Sequence, residues 1–243
     1  QNMGLTTLTD GEDIRGRHFS DVALAPMALG ALTHGVTVEE LTAAYCAFPN
    51  HGVYSKPRTY SLIKDSNGNV VLDNGVEASV AMKESTAWYM NFMLQNVVAG
   101  GTGTAAKIGH GIATAGKTGS TTDDHDRWFV GYTPYYVAAV WVGYKSNARI
   151  NYSGNPAITM WKKVMERIHE DLPDKEFFKP DNGLETVAVC ADSGMLPTKA
   201  CRADLRGSRV IEVEIGAGTA PTQECSLHVY KRYCTSGHVV AGT

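Results

Sequence analysis

The chain has 243 residues, 43% of them hydrophobic and 19% charged, enough apolar material for one sizeable core or one and a half domains and too much for a disordered chain. A formal net charge of −3 with a pI near 6.2 excludes an electrostatic case for nucleic acid as a partner. No window approaches the run of about eighteen apolar residues that a membrane span needs. The opening Q-N-M-G-L-T-T-L is neither a signal peptide nor a natural start, so the chain is expected to be a piece of a longer protein.

Along the chain, Thr37 and Glu40 have capping-box spacing, and Leu41, Ala44, Tyr45 and Phe48 then fall on one helical face, with Asn50-His51-Gly52 as the stop. Two short runs, R-T-Y-S-L-I-K-D and V-V-L-D, flank S-N-G-N and predict a hairpin. A second helix is expected from about Ser85 to Val98, ending at Gly100-Gly101. Three strands follow: I-A-T-A-G-K-T-G-S, R-W-F-V-G-Y and Y-V-A-A-V-W-V-G-Y, the last two joined by a turn at Thr133-Pro134-Tyr135. A third helix should begin near Pro156, carry Trp161, Val164, Met165, Ile168 and Leu172 on one stripe, and stop at Leu172-Pro173. This order predicts an α+β fold, a mostly antiparallel sheet covered by helices. Residues 1–175 are expected to form one domain and 176–243 a small module of short strands and loops.

Cysteine usage is uneven. Cys46 stands alone in a helical pattern and reads as a small apolar residue, whereas Cys190, Cys201, Cys225 and Cys234 crowd the tail. Four cysteines in a Gly- and Pro-punctuated segment are candidates for two disulfides in an oxidising compartment. A zinc site is the rival reading, because Cys225 and His228 have ligand-like spacing and Cys234 follows; the usual paired C-x-x-C knuckles are missing.

The stretch G-I-A-T-A-G-K-T-G-S, residues 111–120, satisfies two motifs at once. Read as G-x-x-x-x-G-K-[ST] it is a phosphate loop, which requires a buried strand before it and a helix after it. Neither is predicted, and no later strand ends in an acidic residue to hold magnesium. Read as K-T-G on a strand at the rim of a site, Lys117 is a fixed positive charge, and Thr118 and Ser120 are hydroxyl donors for a carboxylate. Gly119 admits a substrate backbone, and the strand's own amides can pair with an extended peptide.

The surroundings of that tripeptide decide between the two. A-G-K-T-G-S-T-T-D-D-H-D-R-W-F-V-G-Y-T-P, residues 115–134, resembles the third-motif segment of class A penicillin-binding transpeptidases, and the likeness extends from about Met3 to Met165. A-L-G-A-L-T-H-G-V-T-V-E-E-L, G-G-T-G-T-A-A and P-A-I-T-M-W look like the same family, as do A-D-S-G-M-L-P-T-K-A-C and G-T-A-P-T-Q-E-C in the tail. The resemblance implies a peptidoglycan D,D-transpeptidase working through a serine acyl-enzyme, with the D-Ala-D-Ala stem peptide as substrate, β-lactams as its mimics and no cofactor. It also implies the extracytoplasmic face of the bacterial cell membrane, reached through an N-terminal anchor that this chain lacks. Carried onto matching positions, Lys117 acts electrostatically beside the serine of S-x-N, and the Ser120 N–H is an oxyanion-hole donor. Thr118, Gly119, Ser120 and Thr121 line the substrate.

The nucleophile is another matter. Ser61-Leu-Ile-Lys64 has the letters of S-x-x-K, but that motif needs a helix to put serine and lysine on one face, and a hairpin strand turns positions three apart to opposite sides. Ser153-Gly-Asn155 mimics S-x-N but follows K-T-G, where the family places it before. Both working motifs are expected upstream of Gln1, so the parent should be the enzyme and this chain alone inactive. A non-catalytic penicillin-sensing domain of the same fold is the alternative. His110 and His125 read as loop residues, Asp123, Asp124 and Asp126 as a solvated turn, and Trp128, Phe129, Trp141 and Trp161 as core.

Overall fold

The computed structural model describes residues 2–109 and 111–231, and divides into two compact units, Gln1–Lys179 and Pro180–Thr243. The first unit opens with a hairpin, β1 (Glu12–Ile14) and β2 (Arg17–Phe19), and a short helix, α1 (Leu24–Leu29), none of which the sequence pattern announces. What holds this segment is Asp21, a buried carboxylate that accepts from the N–H of Thr9 and from the N–H and hydroxyl of Thr33.

Helix α2 (Val38–Cys46) begins at the expected capping box: the Thr37 hydroxyl accepts from Glu40 N–H at 3.1 Å, and the Glu40 carboxylate takes the Thr37 N–H at 3.3 Å. Strands β3 (Val53–Ser55) and β6 (Ala78–Val80) pair around the predicted hairpin, β4 (Leu62–Lys64) and β5 (Val70–Asp73). That hairpin turns on Asp65, whose Oδ1 accepts from Asn67 N–H and Asn69 N–H, and on Gly68, which takes the positive φ of 86° that the turn demands. Helix α3 (Glu84–Gly100) follows.

Glu40 does more than cap. Its carboxylate also accepts from the Thr6 hydroxyl and N–H, and these bonds, the hydroxyl first, hold its pKa at about 2 instead of the usual 4.5. A carboxyl depressed on folding stabilises the native state above its unfolded pKa, and that contribution fades as pH falls from 4.5 toward 2. Urea midpoints measured across that window should therefore drop more steeply for the unmodified chain than for Glu40→Gln. Thr37→Ala should cost about 1 kcal/mol at neutral pH.

The centre of the unit is a three-stranded antiparallel sheet in the order β7 (Ala115–Ser120), β8 (Asp126–Tyr132), β9 (Val137–Gly143). Alternation along β8 divides the core. Phe129 packs edge-on to Trp161 of helix α4 (Pro156–Ile168) at 5.1 Å, with Ile158 and Met165 beside it. Tyr132 faces the other way, into Phe48 and Leu94 from the α2 and α3 side, and its hydroxyl donates to buried Asn91. Helices thus cover both faces, as an α+β fold with an antiparallel sheet requires.

Two expectations need correction. On α4 the buried stripe is Ala157, Ile158, Trp161 and Met165, while Val164 and Ile168 are 52% and 45% exposed; the helix is rotated toward the i, i+4 positions that meet the sheet. Trp141 is 41% exposed rather than core, with its indole N–H on Asp126 at 2.8 Å, and Trp128 is only partly buried.

The second unit is a two-stranded antiparallel ribbon, β10 (Leu184–Cys190) and β11 (Val210–Gly216), with a one-turn helix, α5 (Lys199–Arg202), between them. Leu196 bridges to Glu224 in parallel, and Cys225 N–H donates to Leu196 O at 2.8 Å. Among the described residues no helix is long and apolar enough to cross a membrane.

Candidate active-site edge

Lys117 lies in the middle of β7, a strand, which disposes of the phosphate-loop reading: no helix opens at the Lys-Thr pair to aim free amides at an anion. Strand β7 pairs with β8 alone, in the register Lys117↔Val130, Thr118↔Phe129, Gly119↔Trp128 and Ser120↔Arg127, and among the described residues its other edge carries no strand. At the end of the ladder Thr121 N–H donates to Asp126 O at 3.3 Å. Strand amides alternate in direction, so the N–H groups of Ser120 and Thr118 face the open edge. The Lys117 ammonium confirms this polarity by donating to Thr118 O at 3.0 Å.

The side chains divide by the same alternation. Lys117 shares a face with Ala115, which is buried with Tyr132 on the α2/α3 side; Thr118 and Ser120 share the other. A ligand lying along the edge is within reach of both sets, whereas one lying on either face would meet only one. Gly119 sits between them, and a Cβ added there would stand 3.1 Å from Trp128 Cβ, tight enough to push the neighbour.

Each hydroxyl has a built partner. Thr118 Oγ1 is 2.9 Å from Thr102 Oγ1. Thr102 is delivered by the turn that ends α3, where the N–H groups of Gly101 and Gly103 both reach Val97 O at 3.1 and 3.0 Å, so close that a Cβ at Gly101 would lie 2.9 Å from that oxygen. Ser120 Oγ accepts from Arg127 Nη1 at 3.0 Å, which leaves its own proton free to donate and strengthens it as a donor. Thr121 Oγ1 instead donates to Asp126 Oδ2 at 3.1 Å and accepts from Asp126 N–H at 2.8 Å, so it closes the β7–β8 turn and is committed locally.

Two of the three aspartates of this turn, Asp124 and Asp126, fill structural posts. Asp124 pairs with Arg127 at 3.0 Å and Arg149 at 3.4 Å, and Asp126 holds Trp141 and Thr121, so their charges are already answered. His125 Nδ1 contacts Asn147 O; His110 lies outside the described residues. Ser61 and Lys64 flank and end an exposed strand as expected, and Asn155 caps α4 through Ala157 N–H. The two residues that sequence reasoning did not assign to this edge are Thr102 and Arg127. G-G-T-G-T carries a family likeness in the sequence, and the local signal for Thr102 is its flanking glycines, which release a helix end into a sharp turn. Arg127 had no local signal, since only strand pairing brings it opposite Ser120.

In the second unit the expected disulfides do not form among the described residues. Cys190, Cys201 and Cys225 are free thiols, and the sulfurs of Cys190 and Cys225 stand 3.6 Å apart against about 2.05 Å for a bond. Cys234 lies outside the described residues.

A family model described as "Penicillin binding protein transpeptidase domain" matches residues 2–166, and one described as "Penicillin-binding protein 1A, C-terminal domain" matches residues 180–230. Penicillin-binding protein 1A of Clostridium perfringens is 41% identical over 190 residues, and that of Clostridium novyi 38% over 234, covering 77% and 93% of this chain. The chain spans about a quarter of those relatives, 23% and 26%. Penicillin-binding protein 1A from Haemophilus influenzae shares the fold at 20% identity, with a TM-score of 0.68 over 93% of this chain and 36% of that one.

Proposed function

The chain belongs to the penicillin-binding protein transpeptidase family, and from that premise we propose that it forms the Lys117-Thr118-Gly119-Ser120 wall of a peptidoglycan D,D-transpeptidase site, the serine nucleophile being supplied by the preceding part of the parent protein. The observation that carries the reading is a strand edge, unpaired among the described residues, that presents one lysine from one face and two hydroxyls from the other, with strand amides turned outward.

On this reading a D-Ala-D-Ala stem peptide lies along β7 as an added strand. Its terminal carboxylate takes the Ser120 and Thr118 hydroxyls, the first sharpened by Arg127 and the second positioned by Thr102. The outward Ser120 N–H supplies one donor to the tetrahedral oxyanion, a contact made in full only as charge develops. Lys117 adds a fixed positive charge that lowers the proton affinity of neighbouring groups. Serine attack on the penultimate carbonyl releases D-alanine, and an amine from a second stem peptide resolves the acyl-enzyme as a cross-link. A β-lactam enters as a mimic of the same peptide end. The parent acts at the extracytoplasmic face of the bacterial cell membrane, and no cofactor enters the scheme. The two units correspond to the last part of the transpeptidase domain and a separate tail module.

The test uses a fluorescent penicillin on two samples. The full-length parent should be labelled covalently at a serine outside these 243 residues. This chain alone should take no label, because Ser61 lies beside a strand and not on a helix with its lysine one turn away. A label on Ser61, or none on the parent, would overturn the proposal.

A further inference from the structure

The second unit is built around three thiols and an imidazole. Its buried cluster among the described residues is Cys190, Cys201 and Cys225, each under 5% exposed, with Val210 against them. A unit of this size has a small apolar core, and natural units of such size often add cross-links or a structural metal. Three elements converge there: Cys190 ends β10, Cys201 sits in α5, and Cys225 follows the strand-like bridge at Glu224.

We propose that Cys190, Cys201, Cys225 and His228 bind one zinc ion. The four ligand atoms lie within 4.8 Å of one another. His228 Nδ1 is 3.3 Å from both Cys190 Sγ and Cys225 Sγ, and those sulfurs are 3.6 Å apart. A tetrahedron with zinc–sulfur bonds of about 2.3 Å and zinc–nitrogen bonds of about 2.0–2.1 Å has edges of about 3.5–3.8 Å, so the donors already sit near the corners. Three cysteines and one histidine is a closed, structural set with no position left for water. A Cys190–Cys225 disulfide would instead leave Cys201 a buried thiol with no second thiol beside it among the described residues.

The surroundings support a metal more than a cross-link. His228 Nε2 lies 3.1 Å from Asp192 Oδ2 and 3.1 Å from Asp204 Oδ2, which fixes the proton on Nε2 and leaves Nδ1 as the free donor atom. Those carboxylates are answered by Arg206 and Arg209 at 2.8–2.9 Å, so they orient the ring rather than forming a second cation site. Thr198 N–H reaches Cys201 Sγ at 3.3 Å, the kind of bond that a thiolate uses. Binding would release the thiol protons and tie the free energy of metal binding to that of folding. None of this depends on the transpeptidase reading.

The 243-residue chain, purified in reductant without added chelator, should carry about one zinc per chain by elemental mass spectrometry. Cobalt(II) in its place should give the visible absorption of a tetrahedral thiolate site. Cys225→Ser and Cys201→Ser should lose the stoichiometric zinc and Cys46→Ser should keep it. Asp204→Asn should keep one zinc at saturation but bind it roughly 10–100-fold more weakly. Should the serine variants fail to fold, competition with a chromophoric chelator on the unmutated chain reads the same site. A chain that holds no zinc and gives no cobalt spectrum, or a Cys190–Cys225 disulfide found by mass mapping in protein isolated without reductant, would overturn the proposal.

Discussion

Replacing Lys117 by alanine in the full-length parent should slow acylation by a fluorescent penicillin by about 10²–10³-fold, the range in which loss of one preorganised electrostatic contact falls, without moving the melting temperature. The two halves of this expectation come from one fact. Lys117 is exposed on a strand edge, and its ammonium donates to the backbone of its own neighbour, so the fold asks little of its charge. Lys117→Arg should recover little, because a planar fork does not occupy the place of a compact ammonium. An acylation rate unchanged in the alanine variant would remove Lys117 from the chemistry, and a large fall in melting temperature would show the effect to be structural.

The largest stability effect should come from Trp161→Ala, at about 3–5 kcal/mol lost from the first unit, read by urea unfolding followed through circular dichroism. Trp161 is 1% exposed, stacks edge-on against Phe129, and donates its indole N–H to both Gly131 O and Ala138 O at 3.1 Å. It therefore bridges β8 and β9 while filling the core, and truncation leaves a cavity and two weakened carbonyls together. Gly131 shows how closely the ring is fitted, since a Cβ there would lie 2.7 Å from Trp161 and 2.5 Å from Phe129. Trp161→Phe should retain most of the packing and lose the bridging bonds, costing less. Because β8 supports β7, penicillin acylation of the parent should fall with the alanine variant too. A loss below about 1 kcal/mol would mean that the sheet does not rest on this residue.

How much was legible beforehand varied with how local the cause was. The capping box at Thr37, the Asp65–Gly68 turn and the Pro156 start of α4 are written in four or five consecutive residues, and each appears where expected. The opening hairpin and α1 were not foreseen, since Asp21 organises them through Thr9 and Thr33, twelve residues away on either side. The faces of α4 were partly misjudged, because a periodic stripe does not say which of its members meets the sheet and which overhangs its margin.

For the candidate site, the order Lys117-Thr118-Gly119-Ser120 and its strand context came from the chain itself, through residue types whose chemistry is intrinsic and a β-branched, aromatic neighbourhood that forbids a helix. That β7 ends up at an edge, that Arg127 sharpens Ser120 and Thr102 meets Thr118, and that three scattered cysteines close on one histidine were settled only by tertiary structure. Spacing along a chain constrains neighbours within a turn or a strand, while which distant segments come together depends on how buried surfaces fit, and no short pattern records that.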